Sequence, residues 1–149
     1  MPDQTAPSET LDQITASARA LARNLRTSPT PQARRVAAQI RDGQDLAETA
    51  LQCFLNLATD QPRPTTAELL LLDRVAHMAK AAQDASAELT AALARSAQNR
   101  RRHAATTSAP VVLIGPSPQQ FITSAADLLD RIPALRSEIQ RNRLTSPTP

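Results

Sequence analysis

Few side chains in this sequence could do chemistry. The 149-residue chain has one cysteine, Cys53, two histidines, His77 and His103, and no tyrosine or tryptophan. A nucleophile–base pair would have to join Cys53 to His77 or His103. Cys53 adjoins Phe54 beside an apolar helical row, the setting of a small core residue rather than of a reactive thiol. His77 has Asp73 four residues before it and Asp84 seven after it. On a helix these share a polar face that could hold a metal only weakly and reads as a solvated, ion-pairing surface. His103 closes the run Arg100-Arg101-Arg102. The Glu-x-x-His repeat of di-iron bundles, metal-ligand Cys/His spacing and a Gly-rich phosphate loop are lacking. The residue types therefore point to a non-enzymatic protein with no metal and no cofactor, and no motif is specific to a named family.

What the chain does offer is arginine. Lys80 is the only lysine among 17 basic residues, the formal charge is +3 and the pI about 10.4. The guanidinium fork suits phosphate and carboxylate, which makes nucleic acid a possible partner. GC-rich coding would enrich Arg and Ala together and accounts for the same composition.

The elements that must position these residues are helical. Having only Gly43 and Gly115 as glycines argues against a β-rich fold with many tight turns. The pattern predicts an all-α, antiparallel up-down bundle of about four helices. Its centre is a long helix over about 66–102, opened by the capping box Thr65-x-x-Glu68. The apolar stripe of that helix is centred on Leu72, Val75, Ala79, Ala82, Ser86, Leu89 and Leu93, with Leu71, Met78, Ala85 and Ala92 beside it. A stripe that wide buries against more than one neighbour.

Helix 1 is expected from Ser8, as N-cap, to about Arg26, with the narrow seam Leu11, Ile14, Ala18, Leu21, Leu25. Helix 2 is expected to open with Thr30 as N-cap and Pro31 at its first position, and to run to about Ala58. Its stripe keeps phase through Gly43, which predicts an unbroken helix with Gly43 at a close crossing or slight kink. A break there would make a helix–turn–helix, but the second segment carries Asp45 and Glu48 and no base-reading Arg. Helix 4 starts at Ser117-Pro118 with Gln120 completing a capping box. Its stripe is Phe121, Ala125, Leu128, Ile132, Leu135, Ile139, and Pro133 predicts a kink inside it. Residues 1–7 read as a disordered lead-in, 8–143 as one domain, and 144–149 as a disordered tail. The connector 104–117 holds the apolar run Val111–Ile114, suited to lie along the bundle, cap its end or pair with another chain.

The lone cysteine suits a reducing cytosol, and the start of the chain lacks the pattern of a secretory signal. The longest strongly apolar runs, Leu69–Leu72 and Val111–Ile114, are too short to cross a bilayer, so the expected setting is cytoplasmic with no membrane partner.

Charge comes in blocks. Residues 19–41 carry Arg19, Arg23, Arg26, Arg34, Arg35 and Arg41 and no acid, whereas residues 42–60 carry Asp42, Asp45, Glu48 and Asp60 and no base. Helices 1, 3 and 4 read as following the dipole-compensating order of acids early and bases late. Helix 2 reverses it, with Arg34 and Arg35 in its first turn. Folded up-down-up, the chain would gather Arg34, Arg35, Arg95, Arg100, Arg101, Arg102 and His103 into a basic pole, opposite an acidic one. Such a pole attracts phosphates or an acidic partner. The functional expectation is a helical-bundle interaction or scaffolding protein that binds another protein or copies of itself. The alternative is an accessory nucleic-acid-binding protein, phosphate-driven and without sequence specificity, because no aromatic side chain adjoins the arginines to stack on bases.

Overall fold

A computed structural model of the protein describes residues 6–28, 32–59, 63–105 and 115–145. It contains α1 (Pro7–Thr27), α2 (Ala33–Thr59), α3 (Thr66–Ala105), α4 (Pro118–Leu129) and α5 (Arg131–Thr145). The last two form one C-terminal helix, bent by 10°. The bend falls at Asp130, three residues before Pro133. Pro133 has no N–H to give the carbonyl of Leu129, and its ring crowds that carbonyl, so the discontinuity belongs one turn upstream of it. The whole is an all-α antiparallel bundle of four helices.

Helix starts follow local chemistry. Ser117 accepts from the Gln120 N–H at 3.3 Å and the Gln120 side chain accepts from the Ser117 N–H at 2.7 Å, the full reciprocal box. Thr65 Oγ1 accepts from the Glu68 N–H at 3.2 Å. At α1 the expectation fails. Ala6 is the N-cap, Pro7 fills the first turn, and Ser8 lies inside the helix. Pro7 is pre-set for that position, and the Ser8 hydroxyl is drawn instead to Arg136, which donates to it at 3.1 Å. The Thr30–Pro31 start of helix 2 and the run Val111–Ile114 lie outside the described residues. So do residues 1–5 and 146–149 of the expected lead-in and tail, although Pro7, Leu144 and Thr145 are helical.

The core runs the length of α3. Val75, Met78, Ala79, Ala82, Ala85, Leu89 and Ala92 are buried, against Leu11, Ile14, Leu21 and Leu25 of α1 and Val36, Leu46, Ala50 and Cys53 of α2. The α2–α3 contact is the most extensive in the molecule, and α2 passes unbroken through Gly43. A Cβ at Gly43 would meet the Ser86 hydroxyl. The glycine is therefore needed for close approach of the two helices, and not as a helix end. Gly115, just before α4, has φ +97°, in the left-handed region that glycine alone enters without strain.

The C-terminal helix is rotated from expectation. Its buried row is Ile122, Ala125, Ala126, Leu129, Ile132, Arg136 and Ile139, while Phe121, Leu128 and Leu135 are only half-buried. A charged residue occupies a core position, and its place in the row hides the apolar phase. The helix also lacks an acid in its first turn, so it does not follow the dipole-compensating order. Its acids Asp127 and Asp130 instead bind Arg26 of α1.

Candidate functional site

Two exposed regions stand out, one basic and one apolar. Their relative height follows from the Gly43–Ser86 crossing. Arg34 lies nine residues before Gly43 and Arg95 nine after Ser86, so in antiparallel helices both stand about 13 Å from the crossing. The same end therefore carries Arg34, Arg35 and Arg95. Helix α3 runs on past the start of α2 by about nine residues, or roughly 13 Å. Arg100, Arg101, Arg102 and His103 sit on this overhang, all exposed, while Arg95 is half-buried beside Gly115. Arg34, Arg35, Arg100 and Arg101 make no ion pair among the described residues.

The poles are less pure than the sequence implied. Arg26 is neutralised by Asp127 at 3.0 Å and by Asp130, which raise its pKa, Asp130 first and Asp127 second. Asp42 and Asp45 stand beside Gly43 at mid-height, facing α1 across a polar groove with Gln13, Ser17 and Asn24. The far end mixes Glu9, Asp12, Glu68 and Asp73 with Arg74 and Arg136. There Arg74 pairs with Asp73 at 3.1 Å and Glu138 at 2.8 Å. Among the described residues that end is thus mixed and not acidic, because the C-terminal helix brings Arg136 to it and carries Asp127 and Asp130 to Arg26 at the other end.

The apolar region was not foreseen. Leu51 and Leu55 of α2 and Leu69 of α3 are 44%, 54% and 53% exposed. Leu51 and Leu55, one turn apart, occupy the flank of α2 opposite Asp45 and Thr49, which look toward α1. Leu69 occupies the flank of α3 opposite Arg74 and Ala81, which look toward α5. In an antiparallel pair these two flanks face the same way. The three leucines, with the half-buried Leu72 between them, form one apolar surface on the outside of the α2–α3 layer. Leu70 turns to the other side, into a shallow groove with Leu71, Arg74 and Ile139. The sequence did hold a signal: four successive leucines, Leu69–Leu72, go all the way round a helix, so not all can be buried.

The groups with catalytic potential are not brought together. Cys53 is buried, and burial pushes its thiol pKa up, the opposite of activation. His77 is exposed, its Nδ1 2.7 Å from the carbonyl oxygen of Asp73 and 3.5 Å from the Asp73 carboxylate. His103 is on the overhang. Among the described residues no three His, Cys, Asp or Glu side chains gather as a metal would require. The buried charge Arg136 has its Nε on Asp12 at 3.0 Å and Nη2 on Ser8, while Nη1 has no partner. No described helix is long and apolar enough to cross a membrane. Comparison with known protein families, with curated proteins and with solved structures found no match.

Proposed function

We propose that this chain is a non-enzymatic helical-bundle protein that acts through protein–protein contacts made by the outer face of α2 and α3. The observation that supports the reading is the shared exposure of Leu51, Leu55 and Leu69 on that face. Scattered exposed leucines are ordinary, but a contiguous set on two adjacent helices is the usual mark of a contact surface. The buried core does not include these leucines. The buried lone thiol of Cys53 accords with a cytoplasmic setting. The test immobilises the full chain and its Leu51→Gln/Leu55→Gln/Leu69→Gln variant side by side. A partner, or further copies of the chain, should be retained by the first and lost by the second. Equal retention on both surfaces would remove the reading.

A second reading rests on the α3 overhang, where the exposed Arg100, Arg101 and Arg102 extend beyond α2, with Arg34 and Arg35 at its base. A phosphate backbone is the partner that such an end would attract, without sequence preference. In a salt titration of random duplex DNA, Arg100→Gln/Arg101→Gln/Arg102→Gln should flatten the slope of log affinity against log salt by about 2 to 3 units. Arg34→Gln with Arg35→Gln should act in the same direction. No retention of DNA or RNA at low salt would end this reading and leave the first untouched.

A further inference from the structure

The outer α2–α3 face has leucines at one end and small residues at the other. Ala33 and Ala37 of α2 lie on the same flank as Leu51 and Leu55, and Ala76, Ala87 and Ala94 of α3 on the same flank as Leu69, all of them exposed. We infer that the occupant of this face is a second copy of the chain, docked antiparallel about a two-fold axis. The inference rests on the interaction reading above and names its partner.

The geometry points to one register. Gln44 of α2 and Ala85 of α3 stand level, each one residue from the Gly43–Ser86 crossing. A two-fold axis in the plane of the face at that height lays α2 on α2 and α3 on α3, antiparallel. Leu51 then meets Ala37 of the other copy, Leu55 meets Ala33, Ala76 meets Ala94, and Leu69 meets the turn from Ala97 to the aliphatic stem of Arg101. Each large side chain fills the space above a small one, as packing at interior density requires. Charge agrees with the same register. Arg41 falls beside Glu48 of the second copy, and by symmetry Glu48 beside its Arg41. Both residues are exposed, and neither has an ion pair among the described residues. A two-fold axis along α2 would instead set α2 parallel on α2, with Leu on Leu and Arg41 on Arg41, and would leave α3 outside the contact. The face spans about 40 Å of α2 and the width of two helices, roughly 800 Å² per copy, which is what a specific dimer needs.

The test uses the full chain in the Cys53→Ala background. The Gln44→Cys protein puts its thiol on the two-fold axis, facing the same thiol of the other copy. The Leu55→Cys protein separates the two thiols by about 33 Å along the helix, far beyond disulfide reach. Under mild oxidation the first should become a covalent dimer in high yield and the second should stay uncrosslinked. Sedimentation of the wild type should show a monomer–dimer equilibrium. The Leu51→Gln/Leu55→Gln/Leu69→Gln variant should sediment as a monomer, with unchanged helical circular dichroism because all three positions are exposed. A wild type that stays monomeric up to millimolar concentration overturns self-docking. So does a dimer indifferent to the three leucines, or one crosslinked through position 55 and not 44. A monomeric wild type that still loses a foreign partner when the leucines change would overturn this inference alone and leave the interaction reading standing.

Discussion

Two layers of the bundle are held by different means. Helices α2 and α3 meet through small side chains, with Gly43 against Ser86 and the alanines Ala47, Ala50, Ala79 and Ala82 all buried. Helix α1 and the C-terminal helix carry polar ties, Arg136 to Asp12 and Ser8 near one end and Arg26 to Asp127 and Asp130 near the other. The outside of the first layer keeps its leucines, whereas the outer edges of the second layer's joint are charged. The contrast teaches where surplus apolar area was left. A layer packed backbone to backbone uses alanines inside and has leucines to spare outside. Among the described residues the layer joined by ion pairs exposes no large hydrophobic side chain, which is why the proposed contact surface lies on α2 and α3.

The largest expected effect tests the layer shared by all contacts. Leu89 is fully buried on α3. Leu89→Asp should unfold the protein, because an unpaired buried charge costs on the order of 5 kcal/mol, comparable to the stability of a small domain. A variant with an unchanged melting temperature would show that α3 is not the core at that position.

The polar layer should respond asymmetrically. Asp12 is 63% exposed at its side chain and Arg136 only 7%. Asp12→Ala strands a buried guanidinium and should cost about 2 to 3 kcal/mol in urea unfolding. Arg136→Met leaves a carboxylate that water can solvate, and also removes the Nη1 that lacks a partner. That change should lie within about 1 kcal/mol of wild type in either direction. Equal losses in the two variants would mean that the pair, and not burial of one member, sets the cost.

The close layer makes a smaller prediction. Gly43→Ala gains about 1 kcal/mol of helix propensity but drives a Cβ into the Ser86 hydroxyl, an overpacking cost of about 1 to 3 kcal/mol. The net should be a loss of about 1 kcal/mol. Adding Ser86→Ala should turn it into a gain, a coupling that a double-mutant cycle reads directly. Additive effects would place the two residues apart.

How much of this was legible follows from the same contrast. Periodicity revealed the α3 core from Val75 to Leu89, the phase of α2 through Gly43 and the box at Ser117, because apolar spacing and caps are local. The bond from the Glu68 N–H to the Thr65 hydroxyl, one half of the expected box, and the bend near Pro133 were also expected, and the α3 overhang follows from helix lengths alone. The buried row of the C-terminal helix was misplaced because Arg136 occupies it. Nothing local says that an arginine is inside until Asp12 and Ser8, more than a hundred residues away, are known to face it. The same distance hid the neutralisation of Arg26 and the loss of an acidic pole. The leucine face was missed because Leu51 and Leu55 lie outside the apolar row of α2, and only the packing of α1 and α3 shows that their flank is left uncovered.

A kinetic prediction sharpens the placement of α2. Cys53 is buried and its thiol pKa is raised by desolvation. It should react slowly with a thiol reagent in the native state and fast in denaturant. The raised native pKa also means that this group's contribution to stability is complete below the ordinary thiol range. It is lost as pH climbs from there through the native value. Equal native and denatured rates would mean that α2 is rotated.

The most direct test of the α2–α3 face as a contact surface is the melting temperature of the wild-type chain measured across a thousandfold range of protein concentration. Docking of a second copy couples folding to association, so the midpoint should climb by about 2 °C for each tenfold increase. A midpoint that stays constant across the range would contradict the two-copy account.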